Sequence, residues 1–267
     1  MFTHAIVRPP ASNFGDGLTT AGLGAPDYQL ALTQHEAYCA ALERCGLRLT
    51  RLAPDSDYPD STFVEDVAIL IGAKTRAPIA ILTRPGADTR RGEVETMRTA
   101  LAQLSSETFA IEAPGTLDGG DVCQANEHFF IGVTMRTNEA GAQQLAKILQ
   151  ANGYSSSLVD IRRPQSASGT GPMLHLKIGM AHLGGHRLVI TEDLEHRPEF
   201  AGYDLVRVNA TENYAANCVR VNDYVLLANG FPKLENDLRT LGFQTLALDM
   251  SEFQKMDGGL SCLSLRF

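Results

Sequence analysis

The chain has 267 residues, of which 44% are hydrophobic and 20% charged, the profile of a globular protein long enough to bury a sizeable core. Its 31 acidic and 23 basic side chains give a formal net charge of -8, which makes nucleic acid a poor partner and favours a cationic ligand. No basic segment leads into an apolar run at the N-terminus and no apolar stretch reaches bilayer length, so neither a signal peptide nor a membrane span is expected.

In chain order, residues 33–44 have helical composition, Gly46 ends the helix, and 47–52 alternate as a strand. Segments 63–71 and 78–83 read as paired strands about a short polar loop. A helix over 92–104 leads to a strand at 108–112. Strands 121–125 and 128–133 turn through Asn126-Glu127, a helix follows over 138–151, and Gly153 separates it from a strand at 157–161. After a Ser/Gly-rich loop, strands 175–182 and 187–191 turn through Leu183-Gly184-Gly185-His186. The next helical segment, 195–202, is short and carries Pro198. Strands 217–221 and 224–228 turn through Asn222-Asp223, and a helix over 233–241, capped by Gly242, precedes a strand at 243–249. Finally, Gly258-Gly259 delivers Cys262 into an alternating strand.

The cap glycines Gly46, Gly153 and Gly242 set a repeat of roughly 45 to 55 residues, or about five units, each strand-strand-helix-strand. The expectation is an α/β fold of ββαβ units about a centre, forming one domain over 1–267. Equivalent strand ends would converge on the axis and build a site there.

Four segments carry residues suited to chemistry. A nucleophile beside two glycines has a sharply turned backbone that a substrate can approach closely. Cys262 has that setting, although a lone cysteine is more often a small core residue. Pro59-Asp60-Ser61-Thr62-Phe63-Val64-Glu65-Asp66 starts an apolar strand with three acids. Glu65 and Asp66, being adjacent, would face opposite sides, so that one reading is a strand-edge pair and the other a carboxylate pocket for a cation. Leu117-Asp118-Gly119-Gly120-Asp121 is either an ordinary glycine turn or a device that brings Asp118 against a ligand or histidine. His175 alternates with apolar neighbours in Met173-Leu174-His175-Leu176-Lys177. Arg84, Arg90, Arg91 and Arg136 precede helices and could grip a carboxylate, with Arg84 and Arg91 equally well explained as surface charge. His182 and His186 flank a glycine turn and do not form a metal pair. The five cysteines, Cys39, Cys45, Cys123, Cys218 and Cys262, are scattered and lack a C-x-x-C pair. A reducing cytoplasm is therefore expected rather than a disulfide framework or structural zinc.

Taken together and in order, these motifs resemble the guanidino-group modifying enzymes, and among them the dimethylarginine dimethylaminohydrolase family, from Asp16-Gly17-Leu18-Thr19 to Cys262. The resemblance implies a five-bladed α/β propeller of the pentein type. It implies Cys262 as nucleophile, His175 as general acid/base and Asp118 as its orienting acid. Asp66, with Glu65 near it, would hold the guanidinium, and Arg90 and Arg136 the α-carboxylate. Leu18, Asp60 and Met256 would line the amino-acid end. It further implies hydrolysis of N-omega-methylated L-arginine to L-citrulline through an S-alkylthiouronium, with no metal or organic cofactor. The expected partner is a small guanidino substrate, with no nucleic acid or membrane, for a monomer or homodimer. Two alternatives stand beside it: an arginine deiminase-like hydrolase of another guanidino compound, and a non-catalytic pentein-fold binding protein. The glycine-rich stretch 15–24 is the expected lid.

Overall fold

Each unbroken apolar run becomes the middle strand of a three-stranded sheet, and the described residues form five such sheets. The computed structural model describes residues 1–72, 77–162 and 173–267. Strand β1 (His4–Val7) is carried by α1 (Tyr28–Arg44) to the parallel strand β2 (Arg48–Arg51). The hairpin β3 (Ala68–Ile71) and β4 (Ile79–Leu82) passes through α2 (Glu93–Leu101) to β5 (Glu107–Ala110), parallel to β4. The same plan gives β6 (Val122–Ala125), β7 (His128–Val133), α3 (Glu139–Ala151) and β8 (Ser155–Asp160). In the fourth sheet, β9 (Met180–Gly184), β10 (Arg187–Thr191) and β11 (Asp204–Val208), the weak helix expected at 195–202 shrinks to a 3-10 turn over Pro198–Phe200. The fifth has β12 (Val219–Val221), β13 (Tyr224–Ala228), α4 (Pro232–Thr240) and β14 (Gln244–Leu248). A short α5 (Ser251–Gln254) then precedes β15 (Leu265–Arg266), which pairs antiparallel with β1 and completes the first sheet.

The helix ends follow from local chemistry. The Asp27 and Asn138 side chains accept from Leu30 N and Gly141 N to open α1 and α3, and Pro232 opens α4. Gly46, Gly153 and Gly242 close the three helices with φ of +90°, +84° and +88°.

Period-two alternation explains how the blades assemble. In β4, Ile79 and Ile81 pack toward the third blade while Ala80 and Leu82 pack toward the first. In β13, Val225 and Leu227 meet the fourth blade, and Leu226 and Ala228 the first. The buried apolar residues accordingly divide into five packets, each joining two successive blades, and the packet joining the fifth to the first closes the ring. This is the expected five-bladed α/β propeller.

The first strand of each hairpin, together with β15, faces the axis. A 3-10 turn precedes each inner strand: Val64–Val67, Gly119–Asp121, Leu176–Ile178, Ala210–Ala216 and Ser261–Leu263. Here the structure corrects the strands expected over 63–71, over 175–182 and at Cys262. Their first residues turn instead of extending. At the axial end no neighbouring strand pairs with the backbone, which bonds to itself: Asp66 N to Phe63 O (3.2 Å), Ile178 N to His175 O (3.2 Å) and Cys262 N to Gly259 O (3.2 Å). Strands β1 and β11 go beyond the sequence reading. Parts of two expected loops, 73–76 and the Ser/Gly-rich 163–172, lie outside the described residues.

Candidate active site

The 3-10 turns crowd their side chains into one end of the axis. There a cavity of about 360 Å³, including the solvent at its mouth, brings together Leu18, Asp60, Asp66, Arg90, Arg136, His175, Met256 and Cys262. These are eight of the ten residues expected from sequence. Asp118 stands directly behind His175, and Glu65 lies elsewhere. Phe63 and Leu174, which sequence reasoning did not single out, add apolar wall.

His175 immediately precedes its turn. Its Nε2 meets Asp118 Oδ2 at 3.0 Å, and Asp118 Oδ1 accepts from Gly86 N at 2.8 Å. Nδ1 is therefore the nitrogen left to exchange a proton in the cavity. Burial alone would lower the imidazole pKa, but Asp66, the Asp118 hydrogen bond and Asp121 together raise it to about 9. The opposite holds at Asp66: burial favours the acid, but His175, Arg90 and Gly120 N hold it down at about 2, an anion. Its Oδ1 accepts from Gly120 N (2.9 Å) and its Oδ2 from Arg90 Nη1 (2.6 Å). Cys262 is 8% exposed. Burial, then Glu65 and Asp66, push its pKa up to about 12, so at rest it is a thiol.

The two arginines differ. Arg90 is buried, with Nε and Nη2 on Glu93, Nη2 also near Asp60 O and Phe63 O, and Nη1 on Asp66. One Nη1 hydrogen is left, so Arg90 chiefly fixes Asp66. Arg136 is half-buried at the cavity mouth, and its guanidinium has no hydrogen-bond or ion-pair partner among the described residues. It is thus the cation available to an incoming carboxylate.

Glu65 departs from expectation. Its carboxylate accepts from Ser261 Oγ (2.7 Å), pairs with Lys177 Nζ (2.6 Å) and faces away from the cavity that Cys262 lines. On their 3-10 turn Glu65 and Asp66 diverge, Asp66 lining the cavity with Cys262 and Glu65 a second cavity. Asp60 lines the cavity and accepts Leu18 N on both oxygens (3.1 and 3.2 Å). The stretch expected as a lid is latched across the mouth by Thr20 N and Oγ1 on Asp257 Oδ2 (2.5 and 3.0 Å) and Thr19 Oγ1 on Lys255 O (2.7 Å).

Sequence reasoning passed over Asp121 and Gly120. Asp121 is fully buried and accepts from Leu176 N (2.9 Å) and from the hydroxyls of Thr134 (2.8 Å) and Thr137 (2.6 Å). One carboxylate thereby ties the residue after His175 to the loop carrying Arg136. The only sequence signal was an acid closing the Gly-Gly turn. At Gly120, an added Cβ would stand 2.7 Å from His175 Nδ1 and 2.9 Å from Asp66 Oδ1. Gly120→Ala should therefore dislodge the imidazole and cut turnover about 100-fold with little change in melting temperature, as steady-state kinetics beside thermal unfolding would show.

Donor atoms of Asp66, Asp118 and His175 lie within 4.8 Å of one another, close enough for a metal. Each is already engaged, with His175, Gly86 N, Gly120 N or Arg90, so the ring and carboxylates satisfy one another. The site can therefore offer a thiol, a proton-exchanging imidazole, a deep anion for a cation, and a cation nearer the mouth for an anion.

Comparisons with known proteins agree with this fold. Residues 87–200 match the arginine deiminase family model. The chain is 41% identical to N(G),N(G)-dimethylarginine dimethylaminohydrolase of Pseudomonas aeruginosa over the full length of both. It superposes with a TM-score of 0.92 on the structure of a cysteine-to-serine variant of the Pseudomonas aeruginosa enzyme complexed with citrulline, at 41% identity and complete coverage of both chains. A second structure, a dimethylarginine dimethylaminohydrolase histidine-to-glycine variant as its adduct with S-methyl-L-thiocitrulline, gives a TM-score of 0.91 with the same identity and coverage.

Proposed function

Because this chain belongs to the dimethylarginine dimethylaminohydrolase family, we propose that it hydrolyses N-omega-methylated L-arginine to L-citrulline and a methylamine, with Cys262 as the covalent nucleophile. The observation carrying this is a single cavity that contains Cys262, His175, Asp66, Asp60 and Arg136. Their burial orders them from chemistry to recognition: Asp66, His175 and Cys262 are deep, while Arg136 is half-buried and Leu18 is 40% exposed.

The substrate guanidinium lies against Asp66, which keeps it protonated and its central carbon electron-poor. Its positive charge beside Cys262 lowers the thiol pKa, and the thiol proton leaves to solvent. The thiolate attacks the guanidino carbon to form a C–S bond. His175, as imidazolium held by Asp118, gives its proton to the departing dimethylamine as the C–N bond breaks. Neutral His175 then takes a proton from water, which adds to the same carbon. Collapse breaks the C–S bond as the adduct's hydroxyl proton passes to the departing sulfur, which yields citrulline and the Cys262 thiol. At the other end Arg136 grips the α-carboxylate, Asp60 faces the α-amino group, and Phe63, Leu174 and Met256 pack the methylenes. Residues from several blades contribute, so 1–267 acts as one catalytic unit. No helix among the described residues is long and apolar enough to cross a membrane, and five free cysteines support a reducing compartment.

Arg136→Gln should raise KM about 10- to 100-fold while kcat stays within about threefold, because the carboxylate is bound alike in ground and transition states. Arg90→Met should act differently, destabilising the fold by about 3–5 kcal/mol by leaving Asp66 and Glu93 buried without their cation. Kinetics and denaturant unfolding on both variants separate these roles. The function is tested by measuring citrulline and amine from asymmetric dimethylarginine, monomethylarginine and arginine in parallel. Citrulline with dimethylamine, and little from arginine, is expected. Citrulline mainly from arginine would move the activity to an arginine deiminase-like hydrolase.

A further inference from the structure

Among the described residues the propeller axis also holds a cavity larger than the one with Cys262. It measures about 1400 Å³, including the solvent at its open mouth, and residues of all five inner strands line it. Its wall carries three cationic side chains, Lys177, Arg220 and Arg266, against one carboxylate, Glu65. This local excess of two positive charges occurs in a chain of net charge -8.

Among the described residues the three cations keep donors free. There Lys177 Nζ has one partner, Glu65 Oε1, at 2.6 Å. Arg266 commits Nη1 to Ser261 O and to Ser264 O and Oγ, but its Nη2 reaches Glu65 Oε1 only at 3.6 Å, beyond a hydrogen bond. Arg220 uses Nε on Asn222 O and Nη1 on Leu183 O and keeps Nη2. Lys177 and Arg266 converge on a single carboxylate oxygen, a spacing that a second oxyanion can bridge. One charge is already matched by Glu65, so a monovalent anion leaves the wall positive and a dianion completes it.

We infer that this far cavity binds a small anion carrying two or more negative charges on oxygen, a polycarboxylate or a phosphate, held by Lys177, Arg266 and Arg220. Only the layer of Glu65 and Ser261 separates the anion from Cys262, since Ser261 Oγ donates to Glu65 Oε2 at 2.7 Å and Ser261 precedes Cys262. Added negative charge behind the thiol opposes its ionisation, so occupancy slows turnover without competing with substrate. That consequence rests on the proposed catalytic role of Cys262; binding itself does not.

The test is calorimetry of the full chain with citrate and with inorganic phosphate, using chloride at matched ionic strength as control. Two variants remove or oppose the positive wall: Arg220→Gln, and Gln124→Glu at an exposed lining position. One saturable site for citrate or phosphate, none for chloride, and affinity at least about tenfold weaker in each variant is expected. In the wild type, the preferred anion should lower kcat with KM unchanged, and Arg220→Gln should lose that inhibition while keeping its anion-free rate. No binding of either anion, or binding unaltered in both variants, overturns the site. Inhibition competitive with substrate and untouched by the variants would put the anion on Arg136 instead. Binding without slowing would overturn the link to Cys262.

Discussion

Replacing Cys262 with alanine should lower citrulline release by about 10⁴-fold or more while leaving the propeller folded. A guanidinium spreads its charge over three nitrogens and resists attack by water, so removing the nucleophile removes the first step rather than slowing it. The change deletes one sulfur from a packet that also holds Phe63, Phe253 and Leu263, and therefore costs little stability. Cys262→Ser should lose nearly as much activity, because an alcohol is far harder to ionise than the thiol, which already sits at about 12 through burial, Glu65 and Asp66. Both variants should still bind substrate, since Asp66, Asp60 and Arg136 are untouched. Retained turnover in either would mean that water attacks directly.

His175→Gln should cost about 10³-fold in turnover and should also reshape the pH profile. The reactive pair is thiolate plus imidazolium, while the free site holds thiol plus imidazolium below the histidine pKa of about 9. Raising the pH toward about 9 therefore increases the reactive fraction about tenfold per unit. Between about 9 and about 12 each thiolate gained is matched by an imidazolium lost, and kcat/KM levels off. With glutamine at 175 the break near pH 9 should vanish and the residual rate should keep climbing with Cys262 ionisation alone. A break that persists in the variant would assign that proton to another group.

The ring of five units was legible because glycine caps at Gly46, Gly153 and Gly242 recur beside middle strands that are apolar on both faces. The residues that line the axial cavity were named from sequence through the order and spacing of their motifs, since each alone, an Asp-Gly turn or a lone cysteine, also reads as an ordinary turn or core residue. What sequence did not disclose was the 3-10 geometry at the axis. Val64 and Val67 are apolar and buried like strand residues, so the largely apolar run from 63 to 71 reads as one strand. The resemblance placed Glu65 near the guanidinium, whereas its carboxylate belongs with Lys177 and Ser261. Arg90 and Arg136 look equivalent in sequence. Only packing distinguishes an arginine enclosed by Asp66 and Glu93 from one whose guanidinium has no partner among the described residues. Asp121 was overlooked because its role lies in whom it holds, Leu176, Thr134 and Thr137, none of them near it in the motif.

The central claim is a covalent bond between Cys262 and the guanidino carbon of the substrate. The most direct measurement is the mass of the Cys262 peptide after rapid acid quench of the enzyme turning over asymmetric dimethylarginine. The peptide should carry the mass of the substrate less dimethylamine, the S-alkylthiouronium, and should lose it as substrate is exhausted. An unmodified Cys262 during steady citrulline production, or an adduct on another cysteine, would contradict the account.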